Sequence, residues 1–456
     1  MDFRKLHFSD APNMVVEPPG PKAKEILAEQ AEIEGNAVYY PKVLPFVPEE
    51  GLGATIRDVD GNTYIDFSSG VSVLNFGHAN PYILKSAIGQ LKKLSHTLDF
   101  PTAARNDLVK RLIRIAPGNL RGNAKVIFGG PTGSDAVEAA IKLAKFNTKR
   151  LSVLAFTGSY HGQTNMALSV TAEKKYREHY SPLGPEVHFL PYPNTYRNQF
   201  GEDDPKRCSE LCINALENAI ESPDSGILTP AAIIVEPIQG EGGIIIPPDG
   251  FLKGVERIAR KNGVTLIIDE IQAGLGRTGK WFASEHYGVN PDVITMAKSI
   301  GGVGLPLSGI MYRKKLDTWP PGAHLGTFRG DVVAMSAGAA AIDFAEKYDL
   351  LAHVRDMGEH SMKILNDMKS ERKYVGDVRG KGLFIGVEMV KDKGTRVPWK
   401  EIANKIQSEC LKRGLIVWGG GGYGNVLRIM PPLTITKELM EKGLQILSEV
   451  MKETEK

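Results

Sequence analysis

Cysteine is scarce: three in 456 residues cannot make a disulfide framework. Cys208 and Cys212 stand four apart in a helical pattern, "KRCSELCINALENAI", and Cys410 stands alone. With no histidine or further cysteine close by, a metal site is not the expected reading, and a reducing cytoplasm is. Long apolar runs are also missing, and none approaches the roughly 18 residues that a membrane span needs. The start, "MDFRKLHFSDAPNMVVEPPGPKAK", has acids and prolines where a secretory signal would need an apolar core. Net charge is only +3 and the basic residues are dispersed, so neither a nucleic-acid nor a polybasic membrane surface is expected. There is no HExxH, no clustered His/Cys set and no nucleophile elbow. What is present is 42% hydrophobic and 24% charged residues, the profile of a soluble globular protein of two or three domains.

Residues 1–60 read as a proline-rich arm followed by a hairpin, "ATIRDVDGNTYIDF", that contributes to a small domain. Residues 61–332 alternate helical patterns, at 82–95, 103–116 and 134–147, with short β-rich runs. The runs "LSVLAF" (151–156), "AAIIVE" (231–236), "VTLIID" (264–269) and "VITM" (293–296) are continuously apolar. Such strands, separated by helices, imply an α/β domain with a mainly parallel sheet covered on both faces. From 333 to 456 longer helical patterns surround "VGDVRGKGLFIGVEMV" and "GLIVWGGGGYGNVLRIMPPL", which read as a smaller α+β domain.

Two glycine-rich stretches are set aside as turns or close-approach loops. "GLGRTGKW" has phosphate-loop spacing but ends in Trp281 where a Mg²⁺ ligand would need Ser or Thr. "WGGGGYGNVLRI" leads into a strand, not the helix a dinucleotide turn requires. More informative is "GGPTGSDAVEAAIKLAK", where Gly133 and Ser134 open an amphipathic helix whose free amides suit a phosphate; an ordinary helix with Ser134 as N-cap reads the same way. Asp269 and Glu236 each end an apolar strand, where a carboxylate is costly unless it meets a cation or caps a turn. Tyr160 and His161 in "GSYHGQT" offer an aromatic for stacking or packing. Arg428 in "LRIMPPL" could grip a carboxylate bidentately or lie on a surface strand. Lys298 in "PDVITMAKSIGGVGLPLSG" stands in a sheltered apolar stretch, where desolvation favours a neutral, nucleophilic amine. Together these are the parts one aromatic phosphate aldehyde would need: a lysine to form an imine and an acid to keep a pyridine nitrogen protonated.

From residue 35 to 450, with its motifs in order, the sequence resembles the class III (ω-amino-acid) PLP-dependent aminotransferases. The resemblance implies the fold type I architecture, pyridoxal 5'-phosphate as cofactor, and a homodimer or higher homo-oligomer with sites at the subunit interface. It implies that Lys298 is the Schiff-base lysine and proton shuttle, that Asp269 faces the pyridine nitrogen, and that Gln272 neighbours the phenolic oxygen. Gly133 and Ser134 correspond to the phosphate-cup amides, Tyr160 to the ring-stacking aromatic with His161 beside it, and Glu236 to a supporting acid. Thr327 in "GAHLGTFRGD" resembles the threonine that reaches the PLP phosphate of the partner subunit. Arg428 matches the carboxylate-binding arginine, and Glu241 in "EPIQGEGG" an acid that pairs with it and releases it for a second substrate type. One position departs from the family pattern: Asp331 stands where Asn is usual, and a carboxylate near a phosphate is unfavourable unless it points away or meets a cation.

Within the family the motifs look closest to diaminobutyrate:2-oxoglutarate aminotransferases, then to those acting on 4-aminobutyrate or ornithine. The expected function is transfer of an amino group from a diamino or ω-amino acid to 2-oxoglutarate through pyridoxamine phosphate. An amino-acid racemase or epimerase on the same scaffold is the alternative, and a non-catalytic PLP-binding protein the third reading.

Overall fold

The computed structural model describes residues 3–184 and 186–455. The chain folds as two units, Tyr82–Glu346 and the discontinuous pair Met1–Pro81 with Lys347–Lys456. The sequence reading set its boundaries at 60/61 and 332/333.

In the discontinuous unit, three short strands form an antiparallel meander: β1 (Pro48–Leu52), β2 (Thr55–Asp58) and β3 (Thr63–Asp66). The β2–β3 turn is fixed by Asp58, whose carboxylate accepts the amides of Asp60 and Asn62 at 3.0 and 2.8 Å and the Tyr64 hydroxyl at 2.7 Å. Beyond β3 the backbone makes a left-handed turn through Ser69, Gly70, Val71 and Ser72.

The larger unit carries the seven strands β4 (Ala124–Phe128), β5 (Val153–Phe156), β6 (Val187–Leu190), β7 (Ala232–Val235), β8 (Thr265–Asp269), β9 (Val293–Met296) and β10 (Gly309–Arg313). They lie in the order β4-β10-β9-β8-β7-β5-β6. Strands β9, β8, β7, β5 and β6 are mutually parallel, and β10 runs antiparallel to β4 and β9. The mainly parallel α/β sheet expected from the continuous apolar runs is present, with one reversed strand inside it. Successive side chains of a strand face opposite ways, so such runs need cover on both faces. Val153, Ala155, Ile234 and Ile267 pack against the alanine-rich face of the helix Gly133–Thr148. On the other face Phe156 meets Phe251 of the helix Phe251–Lys261, ring centroids 5.6 Å apart. Burying each of the valine, isoleucine and phenylalanine side chains among these is worth about 1.5–3 kcal/mol.

The chain then returns to the discontinuous unit. Strands β11 (Val375–Lys381), β12 (Phe384–Met389), β14 (Trp418–Gly420) and β15 (Val426–Ile429) form an antiparallel sheet in the order β11-β12-β15-β14. The short β13 (Leu415–Ile416) pairs parallel to β3, with Leu415 opposite Ile65. Helices Leu350–Glu371, Lys400–Lys412 and Lys437–Thr454 complete this α+β unit. Among the described residues no helix is long and apolar enough to cross a membrane. Cys208, Cys212 and Cys410 are buried free thiols, and burial pushes the Cys212 thiol up to about 12.

Candidate active site

Loops beyond the carboxyl ends of the parallel strands in the larger unit enclose a cavity of about 480 Å³. Nine of the side chains and backbone positions singled out in the sequence border it: Gly133, Ser134, Tyr160, His161, Glu236, Glu241, Asp269, Gln272 and Lys298.

Asp269 ends β8 and is 4% exposed. Its Oδ1 accepts the Ile271 amide at 3.0 Å and the Thr295 hydroxyl at 2.9 Å, and its Oδ2 lies 2.6 Å from His161 Nδ1. A carboxylate only accepts, so Nδ1 carries the hydrogen of that bond. His161 Nε2 is then left buried without a hydrogen-bond partner. Thr295, a polar residue inside the apolar run of β9, went unremarked in the sequence, although a lone hydroxyl in such a run is itself a signal of something to hold.

His161 is positioned by its own loop. Its amide donates to the Thr171 hydroxyl at 2.9 Å, and the Tyr160 amide donates to Glu236 Oε1, also at 2.9 Å. Glu236 Oε2 takes the Gly240 amide at 2.9 Å, so this acid ties the loops after β5 and β7 together. Burial pushes the Glu236 carboxyl up to about 7, against the pull of His161 and with a further push from Asp269. Gly162, at φ +129°, brings the loop onto the helix Gly133–Thr148; a Cβ there would lie 2.1 Å from Ser134 Oγ.

The helix start differs in detail from the sequence reading. Thr132, not Ser134, is the N-cap, and the Asp135 carboxylate accepts both its amide and its hydroxyl, at 3.0 and 2.8 Å. Ser134 Oγ instead accepts the Gln163 amide at 3.1 Å, linking helix and loop. The first amides of the helix, at Gly133 and Ser134, border the cavity, and a helix cannot satisfy its own first amides.

Also bordering the cavity, Gln272 Nε2 donates to Glu241 Oε1 at 3.1 Å. Gln272 Oε1 is buried with no partner, and Gly240 packs so close that a Cβ would lie 1.6 Å from it. Lys298 begins the single turn Lys298–Gly301 just past β9 and has left-handed backbone, φ +54°. It is half-buried and borders the cavity, in the kind of strained conformation that clusters at functional sites.

Thr327 and Arg428 are not among the residues lining this cavity. Thr327 is exposed, on a loop of the same unit, and its carbonyl lies 2.8 Å from His96 Nε2. Asp331 points its carboxylate at the helix that follows: Oδ1 accepts the Ala334 amide at 2.6 Å, a capping role in which Asp and Asn are interchangeable. Arg428 belongs to the other unit. It is 1% exposed on β15, donates to the Gly419 carbonyl at 3.1 Å and lies across Gly420, where a Cβ would meet its Nε at 2.5 Å. The glycine run of "WGGGGYGN" is thus the floor beneath a guanidinium. "GLGRTGKW" follows β8 as a series of turns.

The cavity offers a primary amine, a buried acid, an aromatic ring, a helix N-terminus and two orphaned polar atoms, His161 Nε2 and Gln272 Oε1. Buried polar atoms are rarely left without partners, so the pair marks a site that a polar ligand completes. A flat phosphorylated aromatic aldehyde fits that set. Comparisons with known proteins agree: residues 37–451 match the family "Aminotransferase class-III". The chain belongs to that family of enzymes, whose cofactor is pyridoxal phosphate. It is 40% identical over 449 residues to an alanine/serine racemase of Pyrococcus horikoshii, covering 97% of this chain and 93% of the relative. It is also 40% identical over 419 residues to a diaminobutyrate–2-oxoglutarate aminotransferase of Rhizobium meliloti, covering 90% and 88%. Among solved structures, taurine:2-oxoglutarate aminotransferase of Bifidobacterium kashiwanohense, in complex with PLP and glutamate, superposes with a TM-score of 0.87 at 28% identity, covering 95% and 98%.

Proposed function

We propose that this class III aminotransferase moves the amino group of a diamino or ω-amino acid, of the diaminobutyrate, ornithine or 4-aminobutyrate type, to 2-oxoglutarate. Pyridoxal phosphate, when bound, supplies an aldehyde that captures the amine covalently and a ring that takes up the electron pair freed at the substrate carbon. Lys298 holds the cofactor through its Nζ and carries the proton to and from the substrate carbon. Asp269, oriented by His161 and Thr295, keeps the ring nitrogen protonated. Tyr160 covers a ring face, Gln272 serves the phenolic oxygen, and the amides of Gly133 and Ser134 receive the phosphate. Glu236 holds the loops that carry Tyr160 and His161. Arg428 binds the substrate carboxylate. The enzyme works as a cytoplasmic homodimer, with Thr327 serving the phosphate of the partner subunit.

The observation that carries the substrate class is Glu241. A carboxylate bordering the cavity beside Gln272 is suited to the second ammonium of a diamino acid and unsuited to an apolar side chain. The test is a single turnover without keto acid: PLP-loaded enzyme mixed with diaminobutyrate, ornithine, 4-aminobutyrate or a branched-chain amino acid. Conversion of PLP to pyridoxamine phosphate by a diamino or ω-amino donor supports the reading.

A second reading, racemisation or epimerisation of an amino acid, is favoured by the likeness to the alanine/serine racemase along nearly the whole chain. Inverted chirality in the recovered amino acid, with the PLP spectrum preserved, would establish it and overturn the first.

A further inference from the structure

Four consecutive left-handed residues are the least expected backbone in this chain. Ser69, Gly70, Val71 and Ser72 have φ of +47°, +59°, +59° and +65°. L-residues visit this region singly and at a cost, and a β-branched residue such as Val71 suits it least. Backbone of this kind persists only where its surroundings over-determine it, and it gathers at functional sites.

The surroundings here are specific. Asp66, wholly buried, accepts the amides of Ser68 and Ser69 on Oδ1 at 2.7 and 3.0 Å, while its Oδ2 lies 2.8 Å from His78 Nε2. The Ser68 carbonyl accepts the amides of Val71 and Ser72 at 2.9 and 3.3 Å. The turn is also tied to the residue that follows β15. Ser69 Oγ donates to the Met430 carbonyl at 2.7 Å, and the Met430 amide donates to the Phe67 carbonyl at 2.8 Å.

Met430 lies two residues past Arg428. Arg428 itself is paired to Gly386 of β12 and Trp418 of β14. After Ile429 the strand ends and the chain runs into Met430-Pro431-Pro432, with no ladder to hold it. The bonds from Phe67 and Ser69 hold the exit of β15, together with Ser72 Oγ, 3.9 Å from Met430 Sδ, and the Leu433 amide, which donates to the Asn75 carbonyl at 2.7 Å.

We propose that the left-handed turn is a positioning element for Arg428, with Ser69 and Asp66 as positioning residues that set how tightly the enzyme holds a carboxylate. The proposal rests on the reading of Arg428 as the carboxylate-binding residue. A turn locked by this many bonds has one conformation, so the strand bearing the guanidinium needs no ordering when the ligand arrives, and preorganisation of that kind appears as affinity.

The test is calorimetric titration of PLP-loaded enzyme with glutarate, a dicarboxylate that has neither amine nor keto group and cannot turn over. Ser69→Ala removes one hydrogen bond and is expected to weaken glutarate binding about tenfold, with PLP affinity and the cofactor spectrum unchanged. In turnover the same change appears in KM for the dicarboxylate, while kcat stays within twofold. Asp66→Asn keeps the shape but not the charge and is expected to act in the same direction; it decides the matter if Ser69→Ala does not fold. Arg428→Gln separates the two ideas. If it abolishes glutarate binding while Ser69→Ala and Asp66→Asn bind like wild type, the positioning role is overturned and the Arg428 reading stands. If Arg428→Gln leaves glutarate binding intact, the Arg428 reading falls and this inference falls with it.

Discussion

Two aspartates in different units are built almost alike. Asp66 ends β3 and Asp269 ends β8; they are 0% and 4% exposed, and each has one oxygen against a histidine, at 2.8 and 2.6 Å. On the other oxygen each accepts two donors, the amides of Ser68 and Ser69 in one case and the Ile271 amide and Thr295 hydroxyl in the other. They differ in what lies beyond. Around Asp66 the bonds continue into the backbone of the turn and Met430. Around Asp269 they stop at a cavity, with His161 Nε2 buried and unsatisfied and a second acid, Glu236, raised to about 7. A buried aspartate–histidine pair is therefore not by itself the mark of a ligand cavity. Unsatisfied polar atoms facing open volume are.

The largest effect that can break this comparison is at the cavity. Lys298→Ala is expected to lower turnover by about 10⁴-fold or more, since it removes both the nucleophile and the proton carrier. Steady-state kinetics near the wild-type rate would end the reading of the cavity as the catalytic centre. Next, Asp269→Asn and Asp66→Asn make the same chemical change in the two matched settings. The first is expected to cost roughly 10³-fold in kcat, a loss of transition-state charge stabilisation, with little change in unfolding midpoint. The second is expected to cost about 1–3 kcal/mol of stability, measured by urea unfolding, with kcat nearly unchanged. Similar kcat losses in both would mean that the two aspartates share one role.

A smaller effect separates neighbours within the larger unit. Glu270 follows Asp269 and is buried, but its carboxylate accepts the Ala283 and Ser284 amides, at 2.9 and 2.8 Å, and is absent from the cavity lining. Burial, opposed by those bonds, pushes its carboxyl up to about 7. A carboxyl with a raised folded-state pKa binds its proton more tightly when folded. Its contribution to stability is therefore fully present below the ordinary value near 4.5 and lost as pH rises through 7. The stability of wild type relative to Glu270→Gln is thus expected to fall by about 2–3 kcal/mol between pH 5 and pH 8 in urea titrations. A pH-independent difference would show that Glu270 stays ionised in the fold. Smallest of all, Asp331→Asn restores the usual family residue in a capping position. It is expected to change stability by no more than about 0.5 kcal/mol and PLP affinity by less than twofold. A large gain in PLP affinity would place the carboxylate against the phosphate after all.

How much of this was legible beforehand follows the same division. The parallel strands β5, β7, β8 and β9 stand out because burial on both faces demands unbroken apolar runs. Strand β10, "GIMYR", and β4, "AKVIF", carry charged or polar residues, do not read as such runs, and were missed. Strand-final acids were legible at Asp269 and Glu236, but the same signature at Asp66 passed as part of a hairpin, because nothing in "TYIDFSSG" reveals which acid faces a cavity. Residue types at the site could be named from the sequence, whereas their bonds could not. The His161–Asp269 and Gln272–Glu241 contacts join loops 108 and 31 residues apart, and loop geometry decides them. The left-handed turn has a single glycine in four residues and gives no composition signal.

The pairing of β13 with β3 has a consequence for how the chain is made. Ile65 meets Leu415, a residue that leaves the ribosome roughly 20–70 s later at ordinary synthesis rates of about 5–20 residues per second. By then all of Tyr82–Glu346 has emerged and can fold as a continuous unit. Through that interval Ile65 and Asp66 of β3 wait for their β13 partners, while Phe46 and Leu44 already pack on the hairpin residues Tyr64 and Ile56. For a cell making this enzyme, the β3 edge is completed only after the larger unit has emerged, and an unpaired strand edge is what a holding chaperone binds.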